Sequence, residues 1–159
     1  MNTQFVLIGD LMIDITAVTN GPVNYASDTR AQISVHLGGA SANTATWLAH
    51  LGENVHLHAT EISGAPTGTC IVILDSTGER TMLPDPGANS FLAPYQITDS
   101  LFRAGAHLHM SGYTLLNPAT REVGQIRWIF EKLSAKSTCF WLTPMKPPPL
   151  PALPTPLRP

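Results

Sequence analysis

Four residues near the amino end could recognise hydroxyl groups: Asp14, Gly38, Gly39 and Asn43. The Asp14 carboxylate can accept from two hydroxyls, and the Asn43 amide can accept and donate at once. A ligand that left such groups buried and unpaired would lose about 1–3 kcal/mol for each, which is how a polar pocket discriminates. Gly38 and Gly39 carry no Cβ, so the backbone there can approach a small molecule closely and can change φ/ψ as a hinge. The set suits a polyhydroxylated small molecule. Plainer uses exist for the same residues: Asp14 as a turn or cap residue, and the two glycines as a strand-to-helix turn. Asn43 lies one turn into a helix, where asparagine is a weak former, and this favours a working role for it.

Other constellations carry less. The glycines belong to the string GGASAN, which lacks the G-x-G-x-x-G spacing of a dinucleotide loop. His107 and His109 alternate along a predicted strand, and with His50, His56 and His58 they suggest a metal. No carboxylate or cysteine completes a recognisable ligand spacing, so no metal is expected. Cys70 and Cys139 are too few for a disulfide framework and read as packing residues in a reducing compartment.

The elements that must position these residues alternate in type. Phe5 to Ile8 is a continuous apolar run stopped by Gly9 and Asp10, the pattern of a buried strand with polar residues at its carboxyl end. Residues 16–35 mix β-formers with turn residues and predict a short hairpin or an extended excursion. Ala40 to Leu51 predicts a helix with Ala45, Leu48 and Ala49 on one side and Gly52 as its stop. Val55 to Ala59 predicts a strand, and Thr69–Asp75 with Arg80–Leu83 predict a hairpin around Ser76–Glu79. Pro84 to Asn89 predicts an irregular loop, because two prolines remove backbone donors. A weak helix over Asp99–Ala104, a strand over Ala106–Met110 and a helix over Ala119–Leu133 complete the folded part. From Pro144 the chain is proline-rich and is expected to be disordered, and its P-x-x-P strings follow from composition alone. Strands and helices in this order predict an α/β domain with a largely parallel sheet.

Bulk properties narrow the function. The 159 residues allow one domain, and 43% hydrophobic content is globular. Only 13% are charged, against about 25% in typical soluble domains, which hints at uncovered surface. A formal charge of -2 supplies no cationic field for nucleic acid. The amino end has no basic segment followed by a sustained apolar run, and no stretch reaches the ~20 apolar residues needed to cross a bilayer. Neither nucleic acid nor membrane is expected as a partner, and the cytoplasm is the expected location.

Three patterns taken in order, VLIGDLMIDIT, HLGGASANTATWLAHLG and GAPTGTCIVILDSTGERTMLPDPGAN, resemble the pfkB/ribokinase family of carbohydrate kinases. The middle one resembles the family's amino-terminal signature, a di-glycine followed by asparagine at a helix start, here Gly38, Gly39 and Asn43. The resemblance covers roughly residues 5–116. It implies a ribokinase-like α/β fold: a partial, mostly parallel sheet flanked by helices, with a small β lid formed by about 16–35 and 69–83. It also implies that Asp14 binds sugar hydroxyls, that Gly38 and Gly39 line the sugar and serve the lid hinge, and that Asn43 completes the pocket. Cys70 or Ile71 would add apolar lid contact. ATP and Mg²⁺ are the implied cofactors, and a sugar or nucleoside the implied substrate.

The family places its catalytic groups further on, in a G-A-G-D loop and an N-x-x-E pattern, and neither string occurs in these 159 residues. No catalytic, nucleotide-binding or metal-binding residue is therefore assigned. Between Ala59 and Gly68 the chain is also too short for a helical crossover, which takes roughly 10–12 residues, so a covering helix is expected to be missing. From Ser134 the sequence changes character. The expectation is a partial kinase domain over residues 1–133, truncated and internally shortened, with an unrelated or disordered tail over 134–159. Such a chain would hold the sugar-binding part of an ATP-dependent sugar kinase without turnover of its own. The alternatives are a non-catalytic sugar-binding or oligomerisation module, with a homodimer through the lid strands, or a remnant without function.

Overall fold

The computed structural model of the protein describes residues 3–101, 103–118, 120 and 139–142. Along the chain the strands are β1 (Gln4–Ile8), β2 (Met12–Thr19), β3 (Ala31–Gly38), β4 (Asn54–His58), β5 (Gly68–Leu74), β6 (Arg80–Asp85), β7 (His107–Met110) and β8 (Cys139–Leu142). The α-helices are α1 (Ala40–His50) and α2 (Gly112–Leu116). The expected helix over Ala119–Leu133, apart from Thr120, and the proline-rich tail from Pro144 lie outside the described residues.

Two four-stranded sheets divide the strands between them. The first, the body, has the order β4-β1-β7-β8 and every pairing in it is parallel. A central parallel strand is buried on both faces, which explains the unbroken apolar run that ends β1. Val6 and Ile8 face Leu92, Ile97, Leu108 and Met110 in one cluster, and Leu7, on the other face, has no exposed surface. α1 packs on β1 and β4. Its buried residues are Ser41, Ala42 and Ala45, whereas Ala49, expected on the buried side, is exposed. Trp47 and Leu51 are 68% and 71% exposed.

The second sheet, the lid, has the order β3-β2-β5-β6. β2 and β3 form an antiparallel pair in full eight-residue register from Met12↔Gly38 to Thr19↔Ala31, so the expected excursion is a long hairpin. β5 and β6 form the second hairpin, and β2 and β5 join the two in parallel. Pro84 and Asp85 belong to β6, paired with Cys70 and Thr69, and Gly87–Phe91 is a 3-10 helix. This corrects the expected loop. β6 is an edge strand, where a proline that donates nothing to the ladder is tolerated. The helix expected over Asp99–Ala104 is reduced to a 3-10 turn over Asp99–Leu101. α2, which the sequence reading did not contain, is capped by the Ser111 hydroxyl accepting from the Tyr113 N–H at 3.3 Å.

Candidate substrate-binding site

β2 carries Asp14 into the lid, half-buried, with His36 of β3 and Cys70 of β5 as its neighbours in register. Side chains alternate across a strand, so Met12 and Asp14 share one face of β2 with Gly38, while Ile13 and Ile15 take the other. That first face borders a cleft of about 510 Å³, lined from the lid by Met12, Asp14, Cys70 and Met82 and from the body by Gly9, Asp10, Asn43 and Thr114. Its size falls within the usual range for small-molecule sites, about 300–1,000 Å³.

Three of the four residues expected to bind substrate line this cleft: Asp14, Gly39 and Asn43. Gly39 precedes α1 with φ +98°, a left-handed conformation in which a Cβ would meet the Asp10 carbonyl. Asn43 sits in the first turn of α1, its own N–H donating to the Gly39 carbonyl at 2.9 Å, and its side chain is exposed at the cleft. Gly38 is buried behind the cleft and is not among its lining residues. A Cβ at Gly38 would collide with the Asp14 carboxyl group, so Gly38 provides the space that Asp14 occupies. Of the two residues expected to add apolar lid contact, Cys70 is buried and lines the cleft, whereas Ile71 is 42% exposed and points the other way. Burial, and after it the Asp14 charge, pushes the Cys70 thiol pKa up, so this side chain borders the cleft as a neutral small group.

Two residues that the sequence reading left unassigned stand beside these. Asp10 Oδ2 accepts from the Ala40 N–H at 3.0 Å, at the start of α1, where a negative charge is favoured. Its Oδ1 is buried with no partner among the described residues, an unmet acceptor bordering the cleft. The sequence signal for Asp10 is an acid two residues past the end of β1, where it marks the polar terminus of the strand. Asn89 also lines the cleft, and its amide bonds both backbone groups of Leu11. Arg80 of β6 adds a cation to the lining.

The histidines do not converge. His56 and His58 share the face of Val6 and Ile8, while His107 and His109 share the face of Phe5 and Leu7. His107 packs against Phe5 in a tilted arrangement with ring centroids 5.2 Å apart, and His50 lies edge-on to Trp47 at 6.1 Å. Among the described residues no three His, Cys, Asp or Glu side chains come together as metal ligands would. No described helix is long and apolar enough to cross a membrane.

No protein-family model and no curated protein matches this sequence. Solved structures do match its fold. Ribokinase from Giardia lamblia is similar with a TM-score of 0.69 at 17% identity, over 96% of this chain and 52% of that one. Fructokinase from Xylella fastidiosa is similar with a TM-score of 0.67 at 20% identity, over 87% of this chain and 52% of that one. Adenosine kinase from Sinorhizobium meliloti is similar with a TM-score of 0.64 at 19% identity, over 88% of this chain and 56% of that one. The chain thus has a ribokinase-like fold and spans about half the length of the solved structures it matches.

Proposed function

We propose that this chain is the substrate-binding and lid half of a pfkB/ribokinase-type kinase, a family that phosphorylates a sugar or nucleoside hydroxyl with ATP. The observation that carries this reading is the meeting of Asp14, from a lid strand, with Asn43, from a body helix, at one cleft. A polyol bound there would be held from both sides, and its binding would draw the lid onto the body, excluding water. Asp14 accepts from substrate hydroxyls, Asn43 both accepts and donates, Gly39 lets the backbone come near, and Gly38 leaves room for the Asp14 carboxylate.

ATP and Mg²⁺ belong to the proposal through the fold and the sequence resemblance. The lining of the cleft fits a polyol better than a triphosphate: Asp10 and Asp14 contribute carboxylates and Arg80 is its single cation among the described residues. Phosphoryl transfer needs donors that neutralise developing charge, and the sequence contains no G-A-G-D string to supply them. We therefore place the nucleotide site outside this cleft and derive no transfer step from the residues present. A cytoplasmic location, where ATP is available, is part of the same reading.

Calorimetry with D-ribose, D-fructose and adenosine, without ATP, tests it. Heat of binding is expected for at least one of them, lost in Asp14→Ala and weakened about tenfold or more in Asn43→Ala, as the loss of one ligand hydrogen bond implies. Equal binding by both variants and the parent would refute the assignment. The chain alone is expected to show no ATP-dependent phosphorylation, and turnover abolished by Asp14→Ala would overturn that part.

A second reading, a non-catalytic module that pairs with its own copy through the lid, is favoured by one observation. The outer face of the lid sheet presents Ile33, Val35, Leu37, Ile71 and Leu83 at 42–79% exposure. Two such apolar sheet faces could cover each other in a two-fold dimer, which would remove this surface from water.

A further inference from the structure

The chain passes between body and lid four times: at residues 9–11, at Gly39, at 59–67 and at Pro86. Any lid movement must bend these four crossings. They are bonded to one another in pairs. The Ala40 N–H donates to Asp10 Oδ2 at 3.0 Å, tying the first crossing to the second. The Ala88 N–H donates to the Pro66 carbonyl at 2.8 Å, tying the third to the fourth.

Asn89 is the side chain that joins these pairs. Its Oδ1 accepts from the Leu11 N–H at 3.0 Å, and its Nδ2 donates to the Leu11 carbonyl at 2.9 Å and to the Pro86 carbonyl at 2.9 Å. A planar amide that engages both backbone groups of one residue copies a rung of a β-ladder, and three of its four hydrogen-bonding sites are in use. Gly68, at the start of β5, makes the arrangement possible, because a Cβ there would collide with the Asn89 amide. Asn89 stands at the edge of the same cleft as Asp14 and Asn43.

We propose that Asn89 is a positioning residue, a clasp that makes the four crossings bend as one hinge and so sets where Asp14 on the lid stands relative to Asn43 on the body. Its importance for ligand binding rests on the proposed sugar site. The clasp itself does not, and the two are tested separately.

Hydrogen exchange of the full chain without ligand tests the clasp. In Asn89→Ala and Asn89→Asp, the second of which keeps the acceptor for Leu11 but loses both donors, exchange is expected to rise at least about tenfold at Leu11, Ala40 and Ala88 together. Asn24→Ala, which removes the Nδ2 bond to the Asp28 carbonyl in the exposed β2–β3 loop, is expected to leave those three amides unchanged. A rise confined to Leu11, with Ala40 and Ala88 as in the parent, would show only local support and would overturn the proposal. So would loss of cooperative unfolding in both Asn89 variants. For binding, parent and Asn89→Asp are compared with D-ribose, D-fructose and adenosine: about tenfold weaker affinity is expected, and unchanged affinity contradicts the positioning role. If the parent binds none of them, the sugar site fails while the exchange result still decides the clasp.

Discussion

Glycine at position 38 is explained by the atom it makes room for. An alanine there would press its Cβ into the Asp14 carboxyl group, and steric insertion into a packed site costs about 1–3 kcal/mol. Gly38→Ala is expected to lower the unfolding free energy by about that amount and to abolish ligand heat by displacing Asp14, which denaturant titration and calorimetry measure side by side. Retained binding would mean that Asp14 does not meet the ligand. His58 offers a pH test. Burial, and after it the neighbouring His56, holds its imidazole pKa below the ordinary value of 6.5. The folded chain therefore binds that proton more weakly than the unfolded chain does, and stability present above pH 6.5 is lost as the pH falls towards the folded value. Half-buried His109 acts in the same direction, with desolvation as its first cause and His107 as its second. Urea unfolding at stepped pH should show declining stability on acidification, with a shallower decline in His58→Gln, and a curve parallel to the parent would show that His58 does not contribute.

At the scale of elements, the two lid hairpins have different anchors. The β5–β6 turn is organised by Asp75, whose Oδ1 accepts from the Thr77 N–H at 2.8 Å, the Thr77 hydroxyl at 2.6 Å and the Glu79 N–H at 3.2 Å. These bonds, the Thr77 hydroxyl first, hold its carboxyl below the usual carboxylate range. Stability from them is present above the ordinary value of 3.8 and is lost as the pH falls through the lower folded value. Asp75→Ala should raise hydrogen exchange along β5 and β6 while leaving β1 and β7 protected, because the body sheet shares no ladder with the lid. Uniform loss of protection would mean that lid and body unfold as one unit. The composition of the β5–β6 turn already indicated a hairpin in the sequence. The continuation of β6 through Pro84 was hidden, because proline argues against a strand until the strand is known to lie at an edge.

At the scale of the whole molecule, the exposed apolar outer face of the lid makes the proposed pairing of two copies testable. Soluble monomers rarely expose contiguous apolar patches beyond a few hundred Å², and Val35 and Leu37 alone stand 64% and 79% exposed. Sedimentation velocity should find a dimer, converted to monomer by Val35→Asp with β2–β3 pairing retained. A parent that sediments as a monomer at every concentration would remove the pairing reading and leave the sugar site untouched. The low charge content points to uncovered surface, but not to where it lies.

Much of this architecture could be read from local pattern. The apolar run of β1, the helix after Gly39 and the turn at Ser76–Glu79 are short-range features, in which the period of hydrophobicity and the turn residues speak for themselves. Asp14, Gly39 and Asn43 were expected together from their residue types, and all three line one cleft. Tertiary structure alone decided the rest. That Gly38 leaves room for the Asp14 carboxyl group, that Asp10 Oδ1 is buried without a partner among the described residues, and that Asn89 binds Leu11 across a separation of 78 residues all depend on contacts between distant segments. Periodicity reports which face of an element is buried, but it does not report what that face meets.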